Sequence, residues 1–270
     1  MQVRRPKFDF TSTPAHWAAN PEFAQYVNAP SVWIPSLERF LNRVLTRASR
    51  DLGDTTPEER AVKQDIKIFI RQESVHLATH EAFNEVLSRS GYDIEPFVDE
   101  AKAEFDRLYE TKSLGFLCAY CEGFETMGPP GALAWLDEME DLLEGADAEV
   151  VRLWKWHLME EYEHRTVCHD VFHAVHGGYF LRVYGFWFQF FQLSGFTRKV
   201  MAHLLERDRA AMSPAEVKAS KRRLRRVTWR LGLAMAPRLL KAMLPWYTPR
   251  KVAEPKMFRS YRDSIEARLA

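Results

Sequence analysis

Residues 69–83, FIRQESVHLATHEAF, decide how this chain is read. Steps of three and four put Ile66, Phe69, Ile70, Phe83 and Leu87 on one apolar stripe of a helix. Glu73, His76 and His80 interrupt that stripe at its centre. A buried carboxylate beside buried imidazoles costs several kcal/mol unless something pairs with them. The spacing therefore demands a partner.

A second stretch repeats the pattern. Residues 156–172, WHLMEEYEHRTVCHDVF, contain Glu161 and His164 at the same spacing as Glu73 and His76. Residues three apart share a helix face, so each Glu can act together with its His. Val150, Trp154, His157, Glu161, His164, Cys168, Val171 and Val175 form an alternating three–four seam, again polar at its middle. Carboxylate and imidazole donors suit iron, manganese or zinc. Two Glu-x-x-His helices plus two helices carrying one Glu each are the ligand plan of ferritin-like dinuclear bundles. In residues 34–45, Glu38 falls on the apolar face with Ile34, Leu41 and Leu45, and Arg39 faces away. In residues 113–127, SLGFLCAYCEGFETM, spacing leaves Glu122 and Glu125 both open. The expected fold is all-α: a ferritin-like four-helix bundle with a dinuclear metal site and extra C-terminal helices.

These stretches, with GGY at 177–179, resemble a bacterial ferritin-like family labelled "predicted metal-dependent hydrolase". The resemblance covers about residues 30–200. It favours Glu122 over Glu125 and also matches Glu38. The implied ligand set is Glu38, Glu73, His76, Glu122, Glu161 and His164. Arg71 and His169 depart from the pattern without touching that set.

Other polar groups surround the motifs. His80 lies one turn after His76, and His157 one turn before Glu161. Both are candidate catalytic groups, as further ligands, ligand-orienting partners or proton donors. Glu160 is placed to orient His164, and Glu163 is expected at solvent. Asp170 is expected to pair with Arg165 or a histidine. Tyr120 and Tyr162 are read as packing residues with a redox role as the alternative. Cys118 and Cys121 form C-x-x-C inside a helix, where small packing residues are the simpler reading. No G-x-S-x-G elbow and no glycine-rich phosphate loop occurs.

Bulk properties set the frame. The 270 residues are 46% hydrophobic with a net charge of about +1, so a buried core is affordable and no global field argues for nucleic acid. Three cysteines argue against a disulfide framework. No signal peptide is read, and the expected location is cytoplasmic, peripheral at the inner membrane face. An irregular arm is expected at 1–30, the bundle at 31–200 and a basic amphipathic helical region at 201–270. Helices are expected at 31–49, from Thr56 to about Ser90, at 94–127 with a join near Thr111–Ser113, at 131–144, at 147–176, and from Ser213. The aromatic segment 177–196 reads as a buried or interfacial helix because Arg182, Gln189 and Gln192 interrupt it. The basic region 218–251 reads as bundle-packed or membrane-associated in preference to nucleic-acid-binding.

The leading functional expectation is a non-haem di-iron oxygenase or oxidase with two Fe ions, dioxygen as co-substrate and an apolar or lipid-like substrate. Mn or Zn are the alternative metals. This reading leaves room for an electron donor, a membrane contact and a homodimer. The alternatives are a two-metal hydrolase and a non-catalytic metal-binding or membrane-associated protein.

Overall fold

A computed structural model describes residues 1–134, 138–256 and 258. The described residues fold as helices: α1 (Pro21–Asp51), α2 (Pro57–Arg89), α3 (Glu95–Thr111), α4 (Leu114–Glu125), α5 (Gly128–Leu133), α6 (Ala148–His164), α7 (Val167–Val175), α8 (Tyr179–Arg209) and α9 (Pro214–Ala242). Single 3₁₀ turns lie at Glu140–Leu143 and Pro249–Lys251. The fold is the all-α ferritin-like bundle that the paired motifs require.

The start signals explain most boundaries. Thr56 and Glu59 form a capping box, and Pro57 fills the first turn of α2. Gly91, at φ 83°, ends that helix in the left-handed region. Ser113 caps α4 through the Phe116 N–H and separates it from α3, at the expected join. Ser213 and Glu216 form a second capping box at α9.

Three expectations are corrected. α1 starts ten residues before residue 31, because Asn20 caps it by accepting from the Phe23 N–H and Pro21 occupies its first turn. Residues 21–30 therefore belong to this helix, which continues past Pro30 and Pro35. The helix expected from residue 131 starts at Gly128: Pro129 and Pro130 sit in the first turn of α5, where their missing N–H groups would have had no partner. The expected helix 131–144 is only partly covered, since residues 135–137 lie outside the described residues. The long helix expected at 147–176 breaks at Arg165–Thr166. There the Arg165 guanidinium donates to the Tyr162 carbonyl at 2.7 Å, the acceptor that the Thr166 N–H would use in an unbroken helix.

α1 packs along α2, and α4 and α7 close the other side, with α6 adjoining α2. These elements enclose the site. α3 and α8 back onto α1, α8 also covers α4, and α9 lies against α1 and α5. The division expected at residues 200 and 201 falls inside α8, which is unbroken from 179 to 209. The arm 1–20 wraps the bundle. Phe8 meets Trp156 at 5.6 Å, Phe10 meets Phe83 at 5.4 Å, and Trp17 is buried. None of the described helices is long and apolar enough to cross a membrane.

Glycines let α4 and α8 approach closely. A Cβ on Gly185 would lie 2.7 Å from the Ala119 carbonyl carbon and Cβ, and one on Gly123 would lie 2.7 Å from the Phe186 Cα. Backbone cannot yield as a flexible side chain can. Gly185→Ala is expected to destabilise the fold by about 1–3 kcal/mol. Gly195→Ala, on the same helix with nothing within 4 Å of its added methyl, is expected to stabilise it by about 0.5–1 kcal/mol. Thermal or urea unfolding of the two variants checks this pair.

Candidate metal centre

The two motifs meet inside the bundle. α1 contributes Glu38, α2 contributes Glu73 and His76, and α6 contributes His157, Glu161 and His164, all buried. Two triads can each hold an ion: Glu38 with His76 and His157, and Glu73 with Glu161 and His164. In each, one donor atom per residue lies within 4.8 Å of the others. The expected ligands Glu38, Glu73, His76, Glu161 and His164 thus come together, and His157 joins them.

Glu122 does not. It accepts from His169 Nδ1 at 3.1 Å and faces Arg182 Nη1 at 3.6 Å. Glu125, three residues on and so also turned inward, lies 3.9 Å from His164 Nδ1. The fourth carboxylate of the cluster is therefore Glu125. α4 is buried nearly all round, so the apolar pattern of its sequence could not choose between the two.

The donor set fits cations. Both oxygens of Glu73, Glu125 and Glu161 lack a hydrogen-bond donor among the described residues, as does Glu38 Oε2. His76 Nδ1 points among Glu38, Glu73 and Glu161 at 3.7–3.8 Å, too far for hydrogen bonds. Its other nitrogen, Nε2, is 3.0 Å from Glu160 Oε2 and donates to it. Glu160 thus orients His76 and not His164, and it is fixed in turn by Arg4 Nη1 at 3.1 Å. Arg4 also binds Glu163, so Glu163 is an arm contact and not a solvent-facing group. Asp170 pairs with Arg250.

A run of hydrogen bonds fixes His157. Pro35 has no N–H, so the Ser31 carbonyl four residues earlier has no helical donor. Asn84 Nδ2 donates to that carbonyl at 2.9 Å, which turns Asn84 Oδ1 toward the Ser31 hydroxyl at 2.8 Å. The hydroxyl spends its proton there, so it must accept from His80 Nδ1, at 2.9 Å. His80 Nε2 then accepts from His157 Nδ1, also at 2.9 Å. The result is a bare His157 Nε2, 3.2 Å from Glu161 Oε1. Two acceptors facing each other in a buried site need a cation between or beside them. Burial lowers the pKa of both His80 and His157, and the neighbouring imidazoles add to it, so both rings stay neutral as this run requires.

The remaining electrostatics agree. Burial raises the Glu38 and Glu125 carboxyls well above their ordinary range, reinforced by Glu73 and Glu161 respectively. Burial opposes charge on His76, but Glu160 and Glu73 outweigh it and raise that ring's pKa. Burial likewise works against Glu73, yet His164 and His76 hold it below the usual carboxylate range. Protons would thus occupy the places that cations fill. The walls are aromatic, with Phe69 at 4.6 Å from the His164 ring and Trp156 at 4.7 Å from His76. Cys118, Cys121 and Cys168 are free and buried, and burial pushes the Cys118 thiol up to about 12 and the other two well upward. Reactive thiolates are disfavoured there. The Tyr120 hydroxyl donates to Gln192 and that of Tyr162 to the Val252 carbonyl, both away from the cluster.

A family model described as "Predicted metal-dependent hydrolase" matches residues 2–253. No curated protein and no solved structure matches the chain.

Two outcomes are expected of the purified chain. Glu125→Gln weakens metal binding by at least about tenfold, whereas Glu122→Gln leaves it unchanged; elemental analysis and metal titration compare them. Because Glu38, Glu125 and His76 carry raised pKa values, uptake of ions expels protons, and affinity rises with pH. Calorimetry in buffers of different ionisation enthalpy reads that proton release directly.

Proposed function

The chain belongs to the family of predicted metal-dependent hydrolases, and we propose that it is a hydrolase whose buried Glu–His cluster holds two divalent ions. One observation carries this reading. Two triads of acceptors share the core of one bundle, and most of their carboxylate oxygens have no donor. Bound divalent ions supply Lewis acidity, which acidifies water and polarises the group to be cleaved. Zinc and manganese suit this role, and iron accepts the same ligands.

The chain's own residues do the rest. Glu160, held by Arg4, keeps the His76 proton on Nε2 and leaves Nδ1 for the cluster. Burial opposes charge on Glu160, but His76 and Arg4 pull its carboxyl below the ordinary range, so it remains an acceptor. Ser31, Asn84 and His80 hold the His157 proton on Nδ1. Phe69 and Trp156 limit water around the imidazoles and strengthen every charge interaction inside.

The donor set also supports a second reading, a di-iron oxidase or oxygenase acting on an apolar or lipid-like substrate. Carboxylates and imidazoles from four helices, aromatic walls and suppressed thiols suit such chemistry as well. Anaerobic assays separate the two. Chain loaded with zinc or manganese is expected to cleave p-nitrophenyl esters or bis-p-nitrophenyl phosphate without oxygen, and Glu161→Gln to lower kcat/KM at least about a hundredfold. Absence of hydrolysis with any of the three metals, together with dioxygen consumption by the ferrous chain, decides for oxidation.

A further inference from the structure

We propose that the solvent face of α9, extended by the first turns of α8, is a docking surface for an anionic lipid bilayer. The face is continuous. Trp229, Leu233, Leu240 and Leu244 follow one another at spacings of four, seven and four, and are 69%, 59%, 63% and 38% exposed. Trp246, just beyond the helix, is 75% exposed. The start of α8 is stitched to this end of α9: the Tyr179 hydroxyl donates to the Met243 carbonyl, and Arg182 donates to the Ala242 and Leu244 carbonyls. That junction brings the start of α8, where Phe180 is 85% exposed and Tyr184 lies one turn further along, to the C-terminal end of α9. Isolated exposed apolar residues are ordinary, but a contiguous aromatic and aliphatic patch is not.

Charge selects the occupant. Arg222, Arg225 and Arg226 prolong the same face toward the start of α9, and Lys221 and Lys241 flank it. These three arginines have no carboxylate partner among the described residues. Other cations of α9 do have partners: Arg223 with Glu22, Arg230 with Asp141 and Arg238 with Glu138. So α9 is anchored through one set of cations and presents another. Its only acid is Glu216, in the first turn. A cationic stretch leading into exposed Trp, Phe and Leu matches anionic headgroups above acyl chains. Nucleic acid would leave Leu233, Leu240 and Leu244 without a role. The helices themselves do not span, so the association is peripheral. This inference does not depend on the metal cluster.

The test is cosedimentation of the full chain with vesicles at low salt. Binding is expected to vesicles containing phosphatidylglycerol and not to pure phosphatidylcholine, and to weaken as salt rises. Joint replacement of Arg222, Arg225 and Arg226 by Ala lowers partitioning at least about tenfold. The Phe180→Ser, Trp246→Ser pair lowers it comparably, with circular dichroism and metal content unchanged. Inorganic phosphate at equal ionic strength competes no better than chloride, since the bilayer and not a phosphate ion is the ligand. The proposal is overturned if anionic vesicles do not bind, or if neither set of substitutions alters binding. It is equally overturned if analytical ultracentrifugation shows a dimer that the Phe180→Ser, Trp246→Ser pair dissociates.

Discussion

Glu38, Glu73, Glu125 and Glu161 share the interior of one bundle at about 1–3% exposure or less. Uncompensated, such a cluster would push the helices apart. It persists only if positive charge enters with it, whether as protons on Glu38, Glu125 and His76 or as metal ions. Fold and chemistry are therefore one problem here. The bundle needs cations to close, and the cations get a ligand shell because the bundle is closed.

This constraint explains which parts of the chain were readable. The seams of α2 and α6 stood out because polar residues interrupted an otherwise regular apolar period, and a polar interruption in a core needs a chemical reason. Glu38 was legible for the same cause, with Arg39 marking the outer face. Glu125 was not. On a helix buried nearly all round there is no polar face to count from, and both glutamates of α4 are buried. The resemblance favoured Glu122, whose actual partners, His169 and Arg182, come from α7 and α8 and so could not be seen in local spacing. Glu160 was misassigned for a related reason. Helical spacing put it near His164, but its partner is His76 across the bundle. Periodicity ranks the residues of one helix; it does not say which helix faces them.

Backbone exceptions were harder still to read. The expected helix began only after Pro30, yet α1 carries both Pro30 and Pro35, because its packing against α2, α3, α4 and α8 outweighs the lost bonds. The break at Arg165 has the opposite character. Nothing in the apolar seam marks it, since the period runs on through Cys168 and Val171, and a side chain captures a backbone carbonyl instead.

Seen together, two devices from opposite sides of the bundle set the imidazoles before any ion arrives. On one side the N-terminal arm delivers Arg4 to Glu160, and Glu160 fixes the tautomer of His76. On the other, the proline at 35 frees one carbonyl, and Asn84, Ser31 and His80 pass that single orientation on to His157. Each device ends on a ring nitrogen aimed at carboxylates: His157 Nε2 is bare, and His76 Nδ1 gives up its proton when an ion arrives. A ligand whose tautomer is already chosen loses less freedom on binding and holds its geometry more tightly. His164 has no such support: neither of its nitrogens makes a hydrogen bond, although Glu73 lies 2.7 Å from Nδ1. The two triads are thus unequal. Hydrogen bonds set both imidazoles of the one containing His76 and His157, while in the other the His164 ring is flanked by Phe69 and His76 and no hydrogen bond sets its nitrogens.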